Sequence, residues 1–107
     1  MRHERLRDAV VVYLQGELDH HCAQGVRREM DALIEDRRVK TLIIDMEDMT
    51  FMDSSGIGVL LGRLRILQSR GGTLSVQNMQ PPVEKLFRLS GLQRVIGIVD
   101  QKRGGRL

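Results

Sequence analysis

Phe51-Met52-Asp53-Ser54-Ser55-Gly56-Ile57-Gly58-Val59-Leu60-Leu61-Gly62 is the stretch on which the fold turns. Just before it, Lys40-Thr41-Leu42-Ile43-Ile44-Asp45-Met46 reads as a buried strand. After it, Ile57, Leu60, Leu61, Leu64 and Leu67 repeat at the spacing of an amphipathic helix that runs to about Arg70. The joint between them carries an acid, two hydroxyls and glycines. Asp53 or Ser54 suits the cap of a helix, where a side-chain oxygen takes up a free amide. Serines at the positive pole of a helix also offer a place for a phosphate.

Working outward, Val10-Val11-Val12-Tyr13-Leu14 is a β-branched and aromatic run that predicts a strand buried on most of its surface. Residues 2–7 fit either a short edge strand or a frayed terminus. Asp19 or one of the histidines after it is placed to cap a helix from about Cys22 to Asp36. That helix would bury Ala23, Val26, Met30, Leu33 and Ile34, with Arg27, Arg28, Asp31 and Glu35 on a solvated face. Arg27, one turn before Asp31, would offset the like charges of Asp31 and Glu35. Beyond the central joint, Gly71-Gly72 stops the helix and Thr73-Leu74-Ser75-Val76 forms a short strand. Pro81-Pro82 opens a third helix with Val83, Leu86, Phe87 and Leu89 on its apolar face; Gly91 ends it, and Val95–Val99 is a last strand. Strand and helix alternate throughout, so the expected fold is α/β: one domain over residues 1–107, its core at about 9–99, with a mixed sheet of four or five strands and helices packed on it.

The chain has 107 residues, 41% hydrophobic and 29% charged, as in an ordinary soluble globular domain. No apolar run reaches the roughly 18–20 residues of a membrane span, and the N-terminus lacks a signal-peptide core. Cys22 has no partner for an internal disulfide, which suits a reducing cytoplasm. The net charge of +3 lies in Lys102, Arg103 and Arg106 of a tail, residues 101–107, expected to be disordered. Residues 1–101 hold 14 basic and 14 acidic side chains, so there is no basic face. With only Tyr13, Phe51 and Phe87 as aromatics, nucleic-acid binding is not expected.

Gly56, Gly58 and Gly62 loosely resemble a dinucleotide fingerprint, but the chain is short for that fold and has no P-loop lysine. Read structurally, Gly58 and Gly62 would let the helix lie close on the sheet. His20 and His21 are adjacent, point in different directions and lack a spaced partner pair, so a partner-contacting loop fits better than a metal site. Catalysis by Ser54 would need a base in hydrogen-bond reach, and nothing in the sequence forces His3, His20 or His21 there. Two readings of Asp53-Ser54-Ser55 stay open: a plain helix cap, or a cap carrying a phosphorylation site. In the second, phosphate would change the charge and bulk shown to a partner without altering the fold.

Gly16-Glu17-Leu18-Asp19-His20-His21 and Phe51–Arg63 together resemble the two signature blocks of the bacterial anti-sigma factor antagonists, members of the STAS domain family. Leu86-Phe87-Arg88-Leu89-Ser90-Gly91-Leu92 is similar to the family's final helix-and-glycine segment. The likeness spans about residues 9–99 and is greatest to the sporulation, sigma-F, branch. It implies a non-enzymatic, monomeric, cytoplasmic binding protein with no cofactor of its own. Its unmodified form would bind an anti-sigma factor that is also a serine kinase holding ATP or ADP, and so free a sigma factor. The kinase would phosphorylate Ser54 and end the binding; a serine phosphatase would restore it. The implied partner surface comprises Asp19, His20, His21, Met52, Asp53, Ser54, Ser55 and Gly56, with Ser55 as support or a weaker site. A STAS component of a general stress-signalling assembly and a small nucleotide-binding protein are the alternatives.

Overall fold

The computed structural model describes residues 1–99. The expected tail at 101–107 lies outside the described residues. Five strands form one sheet in chain order: β1 (Arg2–Leu6), β2 (Ala9–Leu18), β3 (Thr41–Met52), β4 (Thr73–Gln77) and β5 (Gly97–Val99). Helices α1 (Ala23–Ile34), α2 (Ser54–Gln68) and α3 (Pro81–Leu89) fill the three crossovers. β1 pairs antiparallel with β2, while β2 to β5 are parallel neighbours. Right-handed crossovers that all step the same way place their helices on one face of the sheet.

The core confirms that side. Val10, Val12 and Leu14 of β2, Leu42, Ile44 and Met46 of β3, and Leu74 and Val76 of β4 join a single apolar cluster with Met30, Ile34, Leu60, Leu64, Leu67, Val83 and Phe87 of the helices. These strand positions alternate, as side chains on one face of a pleated strand must. The intervening positions of β3 and β4 that face away are less apolar: Asp45 accepts hydrogen bonds from Gln77 Nε2 and Asn78 Nδ2, each at 2.9 Å, and from the Glu47 amide at 3.0 Å. Three donors compensate the burial of that carboxylate.

Of residues 2–7, Arg2–Leu6 form an edge strand and Arg7 begins the turn. Every residue of β1 is exposed, so no alternation marked it in advance; the Arg2 guanidinium over the Tyr13 ring at 4.1 Å and Tyr13 Oη donating to Glu4 at 3.1 Å tie it to β2. β3 runs six residues beyond the expected Met46. Register shifts between Tyr13 and Gln15 and between Gly16 and Glu17 add residues to β3, carrying it to the end of β2 with Leu18 beside Met52. Gly16 takes the left-handed conformation at φ +75 there. The last strand is shorter than 95–99: Leu92–Arg94 form a turn of 3₁₀ helix, and Ile96 drops into the core before β5 starts at Gly97.

Candidate functional site

The ends of β2 and β3 lie side by side, so the two loops that follow them share one edge of the sheet. The Asp53 amide donates to Leu18 O at 3.3 Å and so ties the two strand exits together. Asp53 is extended at φ −116 and ψ −168 and caps α2, its Oδ1 accepting the Ser55 amide at 2.8 Å. Asp53 O accepts Gly56 N at 3.0 Å and Ile57 N at 3.2 Å, starting the helical ladder. Ser54, first residue of α2, is exposed, and its hydroxyl takes up no hydrogen bond among the described residues. Ser55 is half-buried.

The other loop is held by Asp19. Its Oδ1 accepts His21 N at 2.9 Å and Cys22 N at 3.3 Å, and its backbone O accepts Ala23 N at 2.9 Å. The Cys22 thiol 3.3 Å from that carboxylate is the main influence holding its pKa below the ordinary value; partial burial opposes, and the His21 and Cys22 amides assist. Asp19 therefore takes the capping role, while Cys22 itself occupies the cap position with no side-chain bond to the helix. The rings of His20 and His21 do not diverge: they stack with centroids 3.9 Å apart at 38°. Both histidines are exposed. Among the described residues, no group of three or more His, Cys, Asp or Glu could hold a metal ion.

Not every residue of the expected surface reaches it. Met52 is only 4% exposed and packs in the core. Gly56 is buried as well: a Cβ there would lie 2.5 Å from Met52 Cγ and 3.0 Å from Leu18 O. These two can support the surface from beneath but cannot line it. Phe51, by contrast, is 48% exposed beside Glu17 of β2. Sequence reading missed it because the strand was expected to end before it. The outer face is thus Phe51, Ser54, His20 and His21, with Asp19, Asp53 and Ser55 partly covered.

Gly58 and Gly62 do not bring α2 onto the sheet. A Cβ at either would meet nothing within 4 Å, and Gly56 is the glycine at the close approach. Both instead line a groove of about 670 Å³ between α1 and α2, together with His20, Arg27, Ser55 and Arg63. Asp31, expected to balance Arg27 on a solvated face, pairs across the helices with Arg63, Nε to Oδ1 at 2.9 Å. Burial pushes the Arg63 guanidinium below its ordinary value; Asp31 opposes that and Arg27 adds to it.

The STAS domain family matches residues 1–103. The anti-sigma F factor antagonist of Paenibacillus polymyxa is 39% identical over 99 residues, 92% of this chain and 85% of the relative. That of Lysinibacillus sphaericus is 43% identical over 86 residues, 80% of this chain and 74% of the relative. The anti-sigma factor antagonist SpoIIAA in its unphosphorylated form superposes with a TM-score of 0.81 at 36% identity, covering 96% of this chain and 90% of that one. The phosphorylated form of Bacillus SpoIIAA superposes at 0.73 with the same identity, covering 96% and 94%. The match over residues 1–103 and the relatives at 39% and 43% identity show that this chain belongs to the STAS domain family, alongside the anti-sigma factor antagonists.

Proposed function

We propose that the protein is a phosphorylation-controlled anti-sigma factor antagonist acting in the cytoplasm, with Ser54 as its switch. The single observation that carries the reading is the exposed Ser54 at the first position of a 15-residue helix whose cap, Asp53, is already committed to the Ser55 amide. In the unmodified state the face formed by Phe51, Ser54, His20 and His21 binds an anti-sigma factor. That partner is a serine kinase with ATP or ADP in its own site, and binding it frees the sigma factor. Solved SpoIIAA in phosphorylated and unphosphorylated forms supports a switch of this kind in a relative.

The physical argument is one of charge. A phosphate on Ser54 adds about −1.5 to −2 charges next to the Asp53 carboxylate, on a surface otherwise fit for close contact. The helix pole partly offsets that charge within the chain, so the fold persists. A partner surface that desolvates Ser54 when bound cannot do so once it is doubly charged. A serine phosphatase then resets the protein. Incubating the chain with the cognate kinase and ATP, then mapping phosphate by mass spectrometry, tests the assignment. Modification at Ser54 is expected; stoichiometric modification elsewhere with Ser54 untouched overturns it.

A further inference from the structure

Two glycines of α2 have no explanation within the chain. Gly58 and Gly62 stand one helical turn apart, neither has a positive φ, and neither would clash through a Cβ. Glycine inside a helix is less favourable than alanine, because it loses more backbone freedom on folding. Internal packing and backbone geometry thus both favour alanine at these sites. What the missing methyl groups leave is open depth in the α1–α2 groove.

The groove has an unmet hydrogen-bond requirement. The Arg63 side chain is only 9% exposed, and its Nη1 is buried without a hydrogen-bond partner. Asp31, 44% exposed itself, meets only the Nε edge, in contact rather than in good hydrogen-bond alignment. A guanidinium carries five N–H donors, and leaving one buried and unpaired is costly. Arg27 lines the same groove and adds a second positive charge. Ala23 and Ser55, each in the first turn of its helix, line it too, and neither first turn contains an acidic residue. Both helix starts are already capped by carboxylates, Asp19 and Asp53, so the positive charge the groove offers is that of Arg27 and Arg63.

We propose that the α1–α2 groove is a binding site for a phosphate group, with Arg63 and Arg27 as counter-charges and Gly58 and Gly62 giving it access to them. The site is distinct from the Ser54 hydroxyl, since its charged donors lie along the helices, although His20 and Ser55 of the partner face also line the groove. It takes a tetrahedral oxyanion, either as the free ion or carried by a small phosphomonoester.

Titration of the unphosphorylated full chain by NMR at constant ionic strength tests this, with inorganic phosphate, glycerol phosphate and acetate as probes. Saturable shifts of the Gly58 and Gly62 amides and the Arg63 Nε–H are expected with phosphate. Saturation at lower concentration with glycerol phosphate identifies a carried phosphate; saturation by the inorganic ion alone identifies the free ion. The double variant Gly58→Ala/Gly62→Ala should bind at least tenfold more weakly while melting at a higher temperature than wild type. Arg27→Gln should weaken binding with an unchanged fold. Shifts that stay linear in phosphate, equal saturation by acetate, or a double variant that binds like wild type would each overturn the proposal.

Discussion

Asp53 Oδ1 and the Ser55 amide, 2.8 Å apart, set the state in which Ser54 is presented. The carboxylate closes over the residue between them, so the Ser54 hydroxyl projects from the helix start instead of capping it. Asp53→Ala should lower stability by about 1 kcal/mol, the usual cost of losing a cap. For a domain of this size that is a fall in Tm of roughly 4–8 °C. Asp53→Asn keeps the acceptor oxygen and should recover most of the loss, losing mainly the carboxylate's interaction with the helix pole. Thermal melts of the three proteins check both steps.

Charge at Ser54 is expected to govern binding without touching the fold. Ser54→Asp should weaken capture of the anti-sigma factor at least tenfold, about 1.4 kcal/mol. Its circular dichroism spectrum should overlay that of wild type. Ser54→Ala should bind like the unmodified protein and no longer respond to ATP and kinase. An undiminished affinity in Ser54→Asp, measured by calorimetry, would remove the electrostatic basis of the switch.

The three glycines of α2 should answer to alanine with opposite signs. At Gly56 the new methyl meets Met52 and the Leu18 backbone, and overpacking of that kind costs about 1–3 kcal/mol. At Gly58 or Gly62 it meets nothing within 4 Å, and each substitution should stabilise by about 0.5–1 kcal/mol through helix propensity alone. Urea unfolding midpoints at constant m-value separate the two classes.

Acid stability depends in part on Asp36. Its carboxyl is held well below the usual range chiefly by the Arg38 side chain, at 2.9 and 3.0 Å, and then by the Arg38 amide and Arg5. A depressed native pKa means the folded state prefers the ionised form. The resulting stabilisation is fully present above the unfolded carboxyl value of about 4 and is lost as pH falls toward the native value. The stability difference between wild type and Asp36→Asn should therefore be constant at neutral pH and shrink steadily below about pH 4. Denaturant titrations across that range check the direction.

The alternation of elements, the apolar faces of the helices and the serine at a helix start were all legible in the order of residues. Burial periodicity and capping chemistry are local, and they survive folding unchanged. The three crossovers and the glycine and proline stops followed from the same local rules. β1 escaped because five exposed residues carry no periodicity; only the partner strand defines it. The true end of β3 escaped because register shifts against β2 decide it, and register is a property of two strands.

At the site the division is the same. A cap at Asp53 or Ser54, an exposed serine at the helix start, and a cap at Asp19 or a following histidine could be inferred from residue type and position; the fold chose Asp53 and Asp19. Tertiary structure alone decided that Met52 faces inward while Phe51 stays at the surface. It also decided that Gly56, not Gly58 or Gly62, makes the close approach, and that Asp31 pairs with Arg63 of another helix. Each of those facts depends on what stands opposite a residue in space. A sequence states which groups a chain carries and how they repeat; the neighbour across a helix interface exists only once both helices are laid on the sheet.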